Sequence, residues 1–142
     1  MLTRFVIALV ALVVAFAILG ADTQPAIKKV TPTRTLASSG KDMFNHYCVS
    51  CHGQDAKGGG PVVAALKTPP PDLTTLTQRS GGKFPDVRVF GAIHGDLDMA
   101  AHGSKNMPVW GDVFQSMDHN NGAQVQMRIS NLTSYIKSIQ AK

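Results

Sequence analysis

The chain has 142 residues, 44% of them hydrophobic and 16% charged, which gives room for one small domain and excludes two catalytic ones. Its 14 Lys and Arg face nine acids, all of them Asp, for a formal charge of +5. Five of those bases and two of the acids lie in residues 1–42, so from Met43 onward nine bases meet seven acids. A near-balanced domain without a Lys/Arg run has no stripe for tracking phosphates, and a nucleic-acid partner is excluded.

Met1-Leu-Thr-Arg4 precedes fifteen apolar residues, Phe5 to Leu19, a basic flank and apolar stretch of the length expected for export. Residues 1–21 are therefore read as a signal peptide or an N-terminal membrane anchor. Ala15-Phe16-Ala17 suits signal peptidase, whereas Phe5 to Ala21 lies at the short end of a spanning helix, and residues 5–21 are the expected route of any membrane association. No Cys follows Ala21 closely, which excludes a lipidated cysteine there. Arg4 on the cytoplasmic side sends the remainder outside. A buried apolar helix is the rival reading, and it leaves the polar segment that follows without a role. That segment, residues 22–38, carries two prolines, many Thr and Ser and no sustained period, and reads as a linker.

Ser39, with Asp42 three residues on and Met43, Phe44 and Tyr47 behind it, signals the start of a helix and of a domain over 39–142. Both cysteines of the chain fall in that helix, as Cys48-Val49-Ser50-Cys51-His52. On a helical turn residues i and i+3 share a face, so Cys48 and Cys51 can both reach the vinyl edge of one porphyrin and His52 can point its imidazole at the iron. Three other chemistries use such residues. A disulfide leaves His52 unexplained. A thioredoxin-like pair needs a preceding strand and a βαβ context, and the following Gly58-Gly59-Gly60-Pro61 loop does not supply that context. A zinc site needs two further ligands, and His94 and His102 are eight residues apart. One covalent haem c fits the motif and the exported N-terminus together.

From about Gly40 to the C-terminus the chain resembles the monohaem class I cytochromes c. Gly40 and Phe44 ahead of the motif, the run Gly53-Gln54-Asp55-Ala56-Lys57-Gly58 to Pro61, and Met107-Pro108-Val109-Trp110 carry the likeness beside Cys48, Cys51 and His52. Pro69-Pro70-Pro71-Asp72-Leu73 and the Met107 region look like small exported bacterial cytochromes that accompany respiratory complexes or dehydrogenases. The resemblance implies an all-α, cytochrome c-like fold wrapped around one haem. It also implies that a small residue at Gly40 lets the first helix approach the last, and that the Phe44 ring packs on the haem.

Five methionines and four histidines compete for the distal side of the iron. Met43 and His46 share the proximal helix, Met127 lies in the C-terminal helical pattern, and Met117 ends an apolar stretch. Met107 follows Gly103-Ser104-Lys105-Asn106 and precedes Pro108, which favours an extended backbone able to project a thioether. Its place after Cys51 and before the last helix is the one the family requires, so His52 and Met107 are the expected axial pair. Met99, a histidine or an open site are the alternatives.

Further helices are expected over Pro61 to Lys67, Leu73 to Ser80 and Phe84 to His94. The clearest runs from Ala123 to Ile139, with Val125, Ile129, Leu132, Ile136 and Ile139 spaced by 4, 3, 4 and 3. Tyr47, Tyr135 and Trp110 are read as packing groups or propionate caps rather than electron conduits, and Arg79, Lys83 and Arg88 as solvated charges, with propionate ligands as the alternative. The expected protein is an exported one-electron carrier or relay subunit, not an enzyme. It is periplasmic or anchored on the periplasmic face of the inner membrane, with a redox protein as donor and another as acceptor, one of them open to being a membrane respiratory complex. A haem enzyme or a ligand sensor would instead need an open distal position.

Overall fold

The computed structural model describes residues 33–96 and 107–142. The apolar segment 5–21, most of the linker, Met99, His102 and the loop before Met107 lie outside the described residues. Among the described residues every regular element is helical, and no helix is long and apolar enough to cross a membrane.

The first helical stretch is built in three registers: α1 (Gly40–Met43), a π-helical segment (Phe44–Cys48) and α2 (Val49–His52). Ser39 caps it, its hydroxyl accepting from the Asp42 N–H at 3.3 Å. The π segment was not foreseen. Its wider turn brings Phe44, Tyr47 and Cys48 all to the buried side, and single π turns of this kind tend to sit at functional sites.

Pro61 to Lys67 forms only a 3-10 turn, Val63–Ala65, before Leu66 becomes extended. The β-branched pair Val62-Val63 and the proline run from Pro69 give a longer helix little support. Leu73 to Ser80 divides into a 3-10 turn, Leu73–Thr75, and α3 (Leu76–Arg79). Asp72 caps the turn by accepting from the Thr74 N–H at 2.7 Å. α4 (Asp86–His94) ends at Gly95, which takes the left-handed conformation and donates to the Gly91 carbonyl at 2.8 Å. α5 (Trp110–Met117) is a helix that the sequence reading passed over, and α6 (Gly122–Ser138) is the expected long one, capped by Asn121.

α6 is the spine, against which α1, α4 and α5 all pack. Val125, Ile129, Leu132 and Ile136 bury the predicted stripe and join Met43, Phe44, Phe84, Val89, Ile93 and Phe114 in one core. A Cβ on Gly40 would run into the Asn131 carbonyl and the Tyr135 Cβ, so glycine is what lets α1 cross α6 this closely. Phe44 and Tyr135 rings meet there at 5.4 Å between centroids.

The stretch 33–38, read from sequence as the end of a linker, lies bonded along the domain. Thr33, Thr35 and Ala37, alternate residues of this strap, offer their carbonyls to Tyr47 Oη at 2.6 Å, Arg128 Nη1 at 2.9 Å and Asn131 Nδ2 at 2.9 Å. Arg128 is itself buried and grips Asp118 through two bonds, Nε to Oδ2 at 2.6 Å and Nη2 to Oδ1 at 3.0 Å.

Candidate functional site

The Cys48-to-His52 segment is held rigid by the chain that follows it. A helix end leaves carbonyls without intrahelical partners, and here Ser50, Cys51 and His52 offer theirs to the N–H groups of Val62 at 3.1 Å, Gly60 at 3.1 Å and Gly58 at 2.8 Å. The loop thus folds back antiparallel on the motif. A side chain at Gly60 would strike the Ser50 and Cys51 carbonyls, which explains a glycine at that point of the loop. Leu73 N–H donates to the Ala56 carbonyl at 2.8 Å and ties the proline run to the same loop.

Cys48 is buried, Cys51 half-buried and His52 only 8% exposed. The two thiols are not bonded to each other. Burial, with Cys51 adding to it, pushes the Cys48 thiol up to about 12, the opposite of what a reactive thiolate or redox dithiol requires. Among the described residues no group of three His, Cys, Asp or Glu is placed to hold a metal ion.

A long apolar slot opens beside this motif. Its two halves enclose about 940 and about 1020 Å³, open mouths included, at the upper end of the range for cofactor sites. Cys48, His52, Pro71, Met107 and Trp110 line both halves; Cys51 lines one, and Leu73, Val89, Ile93, Leu132 and Ile136 line the other. All four residues singled out from sequence, Cys48, Cys51, His52 and Met107, therefore meet at a single slot, though they come from opposite ends of the domain. Trp110 and Tyr47 form part of its wall, their rings 5.2 Å apart and each packed on Phe114 at 5.6 Å. Tyr135 is not among the lining residues. His94 stacks on Phe90 and pairs with Asp96 at 2.6 Å, and it does not line the slot. Met43 is fully buried, Met127 is exposed on α6 and Met117 packs at the core's edge.

The free thiol pair, the buried imidazole, the half-buried thioether and the apolar walls fit a flat macrocycle attached at one edge. The family comparison agrees. Residues 35–121 match the model of the cytochrome c oxidase, cbb3-type, subunit III family. The chain belongs to that family. It is a c-type cytochrome domain with an all-α cytochrome c-like fold, its cofactor is covalently bound haem c, and its general activity is haem-based electron transfer. No curated protein and no solved structure matches it significantly.

Two features of the site were missed from sequence. Arg79 and Arg88, read as solvated charges, are exposed as expected, yet both line the slot, whereas Lys83, in the connection between their helices, does not. The pair Asp118–Arg128 sits behind the aromatic wall, with the Arg128 guanidinium 5.6 Å from the Phe114 ring centroid. Arg128 had a visible signal: it lies three residues after Val125 and four before Leu132, on the face of the stripe rather than outside it.

Proposed function

We propose that this protein is an exported one-electron carrier or relay subunit of the class I type, with Cys48 and Cys51 as thioether ligands of haem c and His52 and Met107 as the axial pair. The convergence of Cys48, His52 and Met107 on one apolar slot carries the reading. When bound, haem c supplies one reversible electron at its iron. The chain's part is to hold still: the ladder from Ser50, Cys51 and His52 to the following loop limits how far the imidazole can move between oxidation states. The Tyr47, Trp110 and Phe114 wall and the α6 stripe keep water from the site. A Met ligand raises the potential relative to a second His, which suits a respiratory chain or dehydrogenase. The matched family's name supports a cbb3-type oxidase complex as one redox partner. Residues 1–21 would deliver the domain across the membrane, as cleaved signal or retained anchor, and the linker would join them to residues 39–142.

Optical spectra of the protein matured in a host that attaches haem c test this. The expected result is a c-type reduced spectrum with a weak far-red sulfur-to-iron band in the ferric form, which Met107→Ala abolishes while lowering the potential. An unchanged potential removes Met107 from the iron. Carbon monoxide binding to the resting ferrous protein would favour an open-site enzyme or sensor, and a chain without covalent haem would overturn the reading.

A further inference from the structure

The slot has a chemical polarity along its length. Cys51 lines only the half that opens beside His46 and Pro69, while Arg79, Ser80 and Arg88 line only the other half. Among the described residues no Asp lines either half, and these two arginines are the only Lys or Arg that do. Haem carries its vinyl groups on one edge and its two propionate carboxylates on the opposite edge. Thioethers at Cys48, which lines both halves, and at Cys51, which lines one, would put the vinyl edge toward the Cys51 half and the carboxylates toward the arginine half.

We infer that Arg79 and Arg88, with the Ser80 hydroxyl, are the seat of the haem propionates; the inference rests on the haem reading above. Both arginines line the same half of the slot, and like charges brought to one cavity are stabilised by an anion held among them. The nearby acids are already engaged. Asp72 accepts from the Thr74 N–H at 2.7 Å and its hydroxyl at 2.6 Å, and Asp86 is held by Lys137 Nζ at 2.9 and 3.1 Å. Arg79 is braced through a bond from Nη2 to the Asp72 carbonyl, which aims its remaining donors without consuming them, since the guanidinium carries five N–H groups in a fixed fork. Arg88 stands in the first turn of α4, beside Val89, which also lines the slot. A planar fork matched to a carboxylate is what a propionate site needs, and a lysine supplies only a point charge.

The test uses the matured holoprotein with Arg79→Leu, Arg88→Leu, Arg88→Lys and, as a control, Lys83→Leu, which removes the same charge from the connection between the two helices, outside the slot. Two quantities are read: the propionate-bending mode in the resonance Raman spectrum, and the reduction potential against pH. Both arginine-to-leucine variants should move the Raman mode. They should also introduce a fall in potential with rising pH near neutrality, because an unpartnered propionate titrates higher and its deprotonation favours the ferric form. Arg88→Lys should restore most of the potential but only part of the Raman shift, and Lys83→Leu should leave the mode where it is. A mode unmoved in both leucine variants, or moved equally by Lys83→Leu, overturns the propionate seat while the haem reading stands. Absence of covalent haem in the wild-type protein overturns both. Should a leucine variant fail to mature, Arg88→Lys and Arg79→Gln provide the same comparison.

Discussion

Replacing Arg128 by Met isolates a buried charge. Arg128 is 2% exposed and Asp118 6%, and the two are joined by a fork with bonds of 2.6 and 3.0 Å. Removing the guanidinium leaves the Asp118 carboxylate buried with only Arg34, at 3.3 Å and largely exposed, as a partner. Breaking a buried pair from one side costs about 3–5 kcal/mol, and the Thr35 carbonyl loses its donor as well, for about 1 kcal/mol more. Against a total stability of about 5–15 kcal/mol, that brings the domain close to unfolding. The methionine fills similar volume, so a cavity contributes little. Adding Asp118→Asn to Arg128→Met removes the stranded charge and should recover about 1–3 kcal/mol of coupling, while the strap bond stays lost. Urea denaturation of the ferric holoprotein at neutral pH, followed by far-ultraviolet circular dichroism, measures all four corners of the cycle. The reasoning is refuted if Arg128→Met costs less than about 1 kcal/mol or if the double variant recovers nothing.

The same pair sets an acid limit. The bonds from Arg128, and then its charge, hold the Asp118 carboxyl below the usual carboxylate range in the folded protein. Its contribution is therefore complete above the unfolded Asp value of about 4 and is lost as pH falls through the lower folded value; Asp118→Asn should be less stable near neutrality and show a flatter acid limb in urea midpoints measured against pH. Gly40→Ala should cost about 1–3 kcal/mol or more in thermal denaturation, because the added methyl meets the Asn131 carbonyl at the α1–α6 crossing; a loss under about 0.5 kcal/mol would mean the crossing can open. Tyr47→Phe removes the bond to the Thr33 carbonyl at 2.6 Å and those to Thr35 at 3.0 and 3.2 Å, a loss of about 1–2 kcal/mol. Trypsin should then cut after Arg34 faster than in the wild type while the rest of the domain resists, and equal cutting rates would mean Tyr47 does not hold the strap.

The parts of this domain legible in sequence are those whose signal is local. Cys48, Cys51 and His52 declare themselves by spacing, and Val125, Ile129, Leu132 and Ile136 by helical period, because both patterns are written within one or two turns. Met107 needed an argument from Pro108 and from chain order, and the slot that gathers it with His52 is a tertiary fact. α5 escaped notice although Trp110, Phe114 and Met117 share one face. Gly111 sits in its first turn and Pro108 just ahead, and these read as loop until one sees that a Cβ at Gly111 would meet the His94 carbonyl. The strap was hidden for a different reason. Thr33, Thr35 and Ala37 contribute carbonyls rather than side chains, and a backbone acceptor leaves no trace in the residue type.

α6 shows how one helix serves both stability and the site. Leu132 and Ile136 line the slot, whereas Val125 and Ile129, equally buried, do not. Arg128 and Asn131 reach the other way and hold the strap. Little more than two turns of helix, Arg128 to Ile136, thus join the cofactor wall, the buried charge pair and the N-terminal segment. Loosening at Arg128 should accordingly be felt at the haem as well as in the strap, through Phe114, which the guanidinium covers and which supports Tyr47 and Trp110 in the slot wall. The core substitution Val125→Ala faces protein rather than slot, and should cost stability of about 1–3 kcal/mol by lost burial with no comparable shift in potential. A potential that moves as far in Val125→Ala as in Arg128→Met would show that the slot responds to stability in general and not to this charge pair.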